Sequence, residues 1–173
     1  PIVIANMASA NISIHYKLLG PNYCISTACA TGNHNIGTAY DTIRLGRADA
    51  MLAGGTEAVI TAFSLDGYAQ LRALSSRNDD PTGASRPFSA GRDGFVLAEG
   101  AGVLLLESLT HAKRRGAEIL AEIAGFGMTS DGYHLTAPHP DAKGAADAMR
   151  AAMVDAKLNP EDVSYVNAPG TST

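Results

Sequence analysis

Strand, corner and helix follow one another at Tyr23-Cys24-Ile25-Ser26-Thr27-Ala28-Cys29-Ala30-Thr31-Gly32 and in the residues after it. Residues 23–27 are typical of a strand, and the turn residues Gly20-Pro21-Asn22 stand before them. From Asn33 onward, apolar side chains recur at helical spacing until Gly46. This pattern places Cys29 at a corner of small residues, between the end of a strand and the start of a helix.

The rest of the chain alternates in the same way. Hydrophobic periodicity predicts helices at residues 63–74, 109–115 and 144–158, and strands at residues 2–4, 50–55, 94–97, 102–107, 119–127 and 163–167. We expect the third and fourth of these strands to form an antiparallel pair, and residues 75–91 to form a long polar loop. The alternation indicates an α/β fold. It restarts near Gly116, which predicts a boundary between residues 1–116 and residues 117–173.

Composition excludes several classes of function. With 46% hydrophobic residues in a chain of 173, the protein can build a core, and disorder is not expected. Thirteen basic residues stand against seventeen acidic ones, which leaves no electrostatic footprint for nucleic acid. No apolar run approaches the roughly twenty residues of a membrane-spanning helix. Two cysteines make neither a disulfide scaffold nor a zinc site, and they suit a reducing cytoplasm.

Cys29 is the candidate nucleophile. A thiol at the start of a helix lies near unpaired backbone N–H groups, which favour the thiolate and can hold a developing oxyanion. The flanking alanines leave room for an incoming thioester. The alternative is a buried structural cysteine, which is how we interpret Cys24, inside the predicted strand. His34 has no partner in view and is predicted to be structural or solvated.

Further motifs in chain order decide between these alternatives. Beyond the Cys29 corner, these motifs are Ala53-Gly54-Gly55-Thr56-Glu57, Leu74-Ser75 to Asn78, Ser85-Arg86-Pro87-Phe88, Arg92-Asp93-Gly94-Phe95-Val96, Glu99-Gly100-Ala101-Gly102, Gly125-Phe126-Gly127 with Ser130-Asp131, and Val166-Asn167-Ala168 with Gly170-Thr171-Ser172-Thr173. With this series the sequence resembles the β-ketoacyl synthases, specifically the elongating synthase II type and related polyketide synthase subunits.

The resemblance implies a thiolase-like fold, layered α-β-α-β-α, of which this chain holds the end of the N-terminal half and the start of the C-terminal half. It also implies decarboxylative Claisen condensation in fatty acid elongation, in which Cys29 takes an acyl chain from acyl carrier protein and a malonyl carrier supplies the attacking enolate. No metal or organic cofactor is expected, because the carrier brings its own phosphopantetheine. The expected assembly is a homodimer, or a heterodimer in a polyketide system.

Several other residues match family positions. The resemblance implies pantetheine contacts at Thr136, Thr171 and Thr173, a carrier-docking role for Arg72, an acyl-pocket role for Tyr68, and a place near the active-site mouth for His134. We interpret Glu57 and Glu99, which lie in Gly-rich packing motifs, as structural hydrogen-bonding groups rather than an acid-base pair.

One position departs from the family. A histidine that hydrogen-bonds the thioester carbonyl belongs in the motif Asn-Ala-His-Gly-Thr, and Pro169 stands there. Proline has no proton to donate and no ring nitrogen to accept one. The second family histidine and a lysine are expected beyond Thr173. Two alternatives therefore stay open: a non-condensing or inactive ketoacyl synthase-like subunit, and a partial gene product whose own activity is doubtful.

Overall fold

A computed structural model of the chain describes residues 4–173. The helices are α1 (Met7–Tyr16), α2 (Thr31–Arg44), α3 (Ala62–Gln70), α4 (Leu109–Arg114) and α5 (Lys143–Ala156), and the strands are β1 (Ala50–Glu57) and β2 (Gly100–Glu107). Short 3-10 turns lie at Ala28–Ala30, Pro81–Gly83 and Pro160–Asp162. β1 and β2 are hydrogen-bonded neighbours in a two-stranded sheet.

The chain forms two compact units. The first unit contains the chain up to Gly55 together with Gly102–Ser164, and the second contains Thr56–Ala101 together with Tyr165–Thr173. Each unit therefore combines segments that are far apart in sequence. The boundary that the sequence predicts near Gly116 concerns the two related halves and stays a prediction.

In the first unit, small residues let the elements approach closely. A Cβ added at Gly55 of β1 would lie 3.3 Å from the Cα of Gly32 in α2. A Cβ at Gly125 or Gly127 would overlap the backbone of α5. Glycine at these positions removes the atom that would hold helix and strand apart. Gly32 and Gly55 therefore let α2 lie against β1, and Gly125 and Gly127 let their segment lie against α5.

An ion pair also joins α2 to α5. Arg44 Nη1 lies 2.7 Å from Asp155 Oδ1, and the second carboxylate oxygen of Asp155 accepts the Phe126 N–H at 3.1 Å. Arg44 also donates to the hydroxyl of Tyr40, which donates to the carbonyl of Ala124 at 3.2 Å. These bonds lower the pKa of Asp155, chiefly through the hydrogen bond from Arg44. One network therefore ties two helices to the segment between β2 and α5.

The predicted helices are confirmed at α2, α3, α4 and α5, with ends within a few residues of those expected. The buried strand expected at 50–55 is longer, because β1 extends to Glu57, and it is less buried than expected, since Ala53 is the one buried residue of β1. α1 was not predicted, since residues 12–19 show no clear apolar stripe. The strand predicted at 2–4 lies outside the described residues except for Ile4.

Several strand predictions are wrong. β2 pairs with β1, not with residues 94–97, whose only pairing among the described residues is a parallel bridge between Leu74 and Phe95. Residues 23–27, 119–127 and 163–167 form no strand within residues 4–173. A strand requires a hydrogen-bonded neighbour. At Ile25, the side-chain amide of Asn35 takes the place of a neighbouring strand: its oxygen accepts the Ile25 N–H and its nitrogen donates to the Ile25 carbonyl.

Within residues 4–173, every helix falls short of the length and hydropathy that a membrane crossing requires.

Candidate active site

Cys29 lies in the 3-10 turn Ala28–Ala30, which leads directly into α2, and its side chain is exposed. Ala28, the residue before it, has a φ of 50°, in the left-handed region that residues other than glycine rarely adopt. A sharp turn of this kind presents the following side chain at the N-terminal end of the helix, where the dipole favours negative charge. The structure thus places the predicted nucleophile where the sequence expects it.

Hydrogen bonds from α2 close this turn. The Thr27 N–H donates to Thr31 Oγ1 at 2.8 Å, and Thr27 Oγ1 shares a hydrogen bond with His34 Nδ1 at 2.7 Å. The Ala30 N–H donates to the Thr27 carbonyl at 3.1 Å. The residue that begins the turn is therefore held by its backbone and by its side chain.

The start of α2 is also anchored to neighbouring segments. Asn35 Nδ2 donates to the Gly54 carbonyl of β1 at 3.1 Å, and Asn35 Oδ1 accepts the Ile25 N–H at 3.2 Å. A Cβ at Gly37 would overlap the ring of Phe126. One polar side chain and close glycine contacts therefore fix the helix whose first turn carries Cys29.

Cys24 differs from the prediction. We expected it to be buried inside a strand, but its side chain is exposed. The physical reason is that residues 21–27 lack strand partners among the described residues, so no second layer covers this side chain. Both cysteines are free and exposed, and neither exposure nor oxidation state distinguishes Cys29 from Cys24.

Thr136 lies in the loop before α5, also in the first unit. It is exposed, and its N–H donates to His134 Nδ1 at 3.2 Å, which also accepts the Ala137 N–H at 3.0 Å. The imidazole of His134 thus shapes the loop that carries Thr136. Its ring is engaged locally through Nδ1.

In the second unit, the last residues of the chain run along the loop before β2. The Ser172 side chain is buried, and its Oγ accepts the Arg86 N–H at 3.1 Å while its carbonyl accepts the Gly94 N–H at 2.9 Å. Arg92 Nε donates to the Thr173 carbonyl at 3.0 Å. The structure brings the hydroxyls of Thr171 and Thr173 together at 2.6 Å, and both residues are exposed.

Pro169 precedes this anchored segment and is exposed. Gly170, the next residue, packs against the loop at Pro87 and Phe88, because a Cβ there would lie 2.7 Å from Pro87 Cβ. The position that carries the family histidine therefore adjoins a segment held in a defined conformation.

Tyr68 and Arg72 lie at the end of α3. The half-buried Tyr68 ring makes an edge contact with Phe95, with ring centroids 5.4 Å apart. Arg72 follows the helix at a φ of 53° and is exposed. Tyr68 thus has a packing partner of its own, whereas the guanidinium of Arg72 is accessible.

The two acidic residues in the glycine-rich motifs lie in the second unit. Glu99 Oε1 accepts the Ile60 N–H at 2.9 Å, which agrees with the structural interpretation of Glu99. Asp93, which belongs to a family motif but received no role from the sequence, accepts the Ser75 hydroxyl at 2.7 Å and the Ser76 N–H at 3.2 Å. The first of these bonds is the main cause that lowers the pKa of Asp93. This carboxylate ties the long loop to the segment before β2.

Sequence reasoning missed the residues that hold the site: Thr27, His34, Asn35 and Ser172. Thr31 and His34 are three residues apart and so lie on one face of α2. This spacing was the signal in the sequence that both side chains could bind the same residue. Ser172 gave no such signal, because its partners lie far away in sequence. Among residues 4–173, no group of three or more His, Cys, Asp or Glu side chains is arranged to hold a metal ion.

Comparison with known proteins gives consistent matches. The model of the beta-ketoacyl synthase N-terminal domain matches residues 1–112, and that of the C-terminal domain matches residues 120–173. A 3-oxoacyl-[acyl-carrier-protein] synthase 2 of Coxiella burnetii is 55% identical over all 173 residues. This chain spans 42% of that relative's length.

Solved structures are similar as well. A beta-ketoacyl synthase from Burkholderia phymatum is 46% identical with a TM-score of 0.92, over 97% of this chain and 40% of that one. The second similar structure is described as a type II PKS acyl-carrier protein in complex with its ketosynthase bound to the hexaketide. A chain of that complex is 43% identical to this one with a TM-score of 0.92, and the match covers 96% of this chain and 41% of the chain in the complex. These likenesses confirm the α/β fold of the thiolase type.

Proposed function

Because the chain belongs to the β-ketoacyl synthase family, we propose that the protein is a 3-oxoacyl-acyl carrier protein synthase of fatty acid elongation, with Cys29 as its nucleophile. The observation that carries this proposal is the position of Cys29. An exposed thiol stands on a sharp turn at the N-terminus of α2, in a chain 55% identical to a synthase 2.

The proposed reaction has two stages. The Cys29 thiolate attacks the thioester carbonyl of an acyl carrier, and the carrier thiol leaves, so that a new thioester forms on Cys29. The malonyl carrier then loses carbon dioxide, and its enolate carbon attacks the acyl-enzyme. Cys29 leaves as the thiolate, and a 3-oxoacyl carrier longer by two carbons is released. The backbone N–H groups at the start of α2 can hold the oxyanion that develops in each attack.

The partner in this proposal is an acyl carrier protein, which supplies the phosphopantetheine. A similar solved structure holds a type II PKS acyl-carrier protein with its ketosynthase, which supports the same kind of partner here. We assign pantetheine contacts to Thr136, Thr171 and Thr173, carrier docking to Arg72, and the acyl pocket to Tyr68. The protein needs no metal or organic cofactor of its own, acts in the cytoplasm and forms a homodimer.

A second candidate function rests on Pro169. In this alternative the protein loads acyl groups onto Cys29 without condensing them, because the family histidine that donates to the thioester carbonyl is replaced by a residue without a donor. Losing one pre-organised donor to an oxyanion typically costs about 2.7–4 kcal/mol, or roughly a hundred- to a thousand-fold in rate. Acyl transfer to Cys29 does not depend on that donor.

The deciding measurement is the intact mass of the full-length protein after incubation with an acyl carrier thioester. We expect one acyl adduct, which disappears in Cys29→Ser and persists in Cys24→Ser, the matched control with the other exposed thiol. Addition of malonyl carrier then separates the two candidate functions: a 3-oxoacyl product supports condensation, and an adduct without product supports loading alone. A folded protein that forms no adduct contradicts both.

A further inference from the structure

We propose that His34 is a positioning residue for Cys29, acting through the side chain of Thr27. The inference rests on the proposed role of Cys29 as nucleophile and extends it to a residue that does not touch the substrate. Its basis is the 2.7 Å hydrogen bond between Thr27 Oγ1 and His34 Nδ1.

Thr27 controls the conformation of the turn that carries Cys29. It is the residue immediately before the 3-10 turn Ala28–Ala30, and its carbonyl accepts the Ala30 N–H. Ala28 then adopts a φ of 50°, which is sparsely populated for a residue with a Cβ and persists only where the surroundings hold it. The restraint on Thr27 therefore decides whether the turn keeps this shape.

Two side chains of α2 provide that restraint. Thr31 Oγ1 accepts the Thr27 N–H at 2.8 Å, and His34 binds the Thr27 hydroxyl. With both bonds in place, neither the backbone nor the side chain of Thr27 is free to rotate. Position matters for a nucleophile, because small displacements from the attacking geometry lower the rate strongly.

His34 also contacts an aromatic ring outside the turn. Its half-buried ring makes an edge contact with Phe126, with ring centroids 6.2 Å apart. The Phe126 N–H is bound by Asp155, the carboxylate paired with Arg44. His34 thus connects the Cys29 turn to the network that joins α2 and α5, all within the first unit.

The test is the rate of Cys29 acylation in the full-length protein. We expect His34→Leu and Thr27→Val each to lower kcat for acylation roughly ten-fold, the equivalent of one lost hydrogen bond, with KM for the acyl carrier unchanged. The double variant should be no slower than either single variant. His34→Asn, whose amide can replace the Nδ1 contact, should restore most of the rate. His15→Leu, on the exposed end of α1, is the matched control and should behave as wild type.

Alkylation by iodoacetamide provides a second measurement that needs no acyl carrier. We expect His34→Leu to slow alkylation of Cys29 several-fold and to leave that of Cys24 unchanged, because Cys24 lies outside the turn. Equal changes at both thiols, additive effects of the two substitutions, or no rescue by asparagine would overturn the proposal. If the wild-type protein is not acylated at all, the proposed function fails, and alkylation still decides the role of His34.

Discussion

The turn around Cys29 in the first unit and the segment 170–173 in the second unit both carry residues with a proposed role, but they are held in different ways. Thr27 at the Cys29 turn binds Thr31 and His34, which are four and seven positions away. Ser172 binds Arg86, eighty-six positions away. The first region is shaped by its own helix, and the second by a loop from a distant part of the chain.

This difference also appears in burial. In the first region the functional side chain, Cys29, is exposed, and half-buried residues of α2 support it. In the second, the buried hydroxyl of Ser172 anchors the backbone while Thr171 and Thr173 stay exposed on either side. A local turn can therefore form once α2 forms, whereas the threonine segment requires the loop at residues 86–94 to be in place.

The largest expected effect is at Pro169, the residue before the second region. Pro169→His should raise the rate of condensation by about a hundred- to a thousand-fold, because it restores a donor to the thioester carbonyl. Acylation of Cys29 should change little. Both rates can be measured on the full-length protein by mass spectrometry of the carrier and of the enzyme. Equal condensation rates for Pro169 and its histidine variant would remove the case for a loading-only protein.

The next largest effect is expected from a substitution in α2, the helix that supports the first region. Gly37→Ala should lower the free energy of unfolding by about 1–3 kcal/mol, because the new Cβ overlaps the ring of Phe126. It should also slow acylation of Cys29, since α2 must shift. Gly67→Ala on α3, where a Cβ meets nothing within 4 Å, is the control and should be neutral or slightly stabilising. Denaturant unfolding checks both, and a similar response of the two variants would contradict the close contact.

A smaller effect is expected from removing the anchor of the second region. Ser172→Ala should cost about 1 kcal/mol in the free energy of unfolding, because the half-buried Arg86 N–H loses its acceptor. It should raise KM for the acyl carrier more than it lowers the rate of Cys29 alkylation. Ser76→Ala, an exposed serine of the same unit, serves as the control. An unchanged KM for the acyl carrier would show that Ser172 plays no part in carrier binding.

The smallest effect tests a part of the first unit that carries no proposed site residue. Arg115 and His111 bind Glu107 at the end of β2, and the bond from Arg115 is the main cause that lowers the pKa of Glu107 to about 2. Because the folded-state pKa lies below the ordinary value of 4.5, this carboxylate stabilises the fold above pH 4.5 and loses that contribution as the pH falls towards 2.

The unfolding midpoint in urea, measured from pH 5 to pH 2, should therefore fall more steeply for the wild type than for Glu107→Gln. Parallel curves would show that the Glu107 cluster contributes nothing to stability. Acylation of Cys29 measured at pH 7 should be the same in both proteins. This result would distinguish the Glu107 cluster from the network of Phe126, Asp155 and Arg44 that His34 contacts.

The predictions from sequence succeeded where the pattern is local. Periodicity located α2 and α5, and the corner of small residues placed Cys29 directly before α2. The predictions failed where an element depends on a partner. Residues 119–127 and 163–167 have the composition of strands, yet they pair with nothing in the described part of the chain, and β2 pairs with β1 rather than with its neighbour in sequence. The prediction that Cys24 is buried failed for the same reason.

The sequence by itself determined the family, helices α2 to α5 and the position of Cys29, the proposed nucleophile, because turns, caps and helical stripes depend on residues within a few positions of one another. Only the tertiary structure decided that the His34 ring contacts Phe126, that Ser172 is the buried anchor between two exposed threonines, and that Asp155 joins α5 to α2. Such contacts depend on which distant segments meet and which side chains they bury. No local pattern specifies that meeting, because the entropy of closing long loops is offset only by packing of the whole fold.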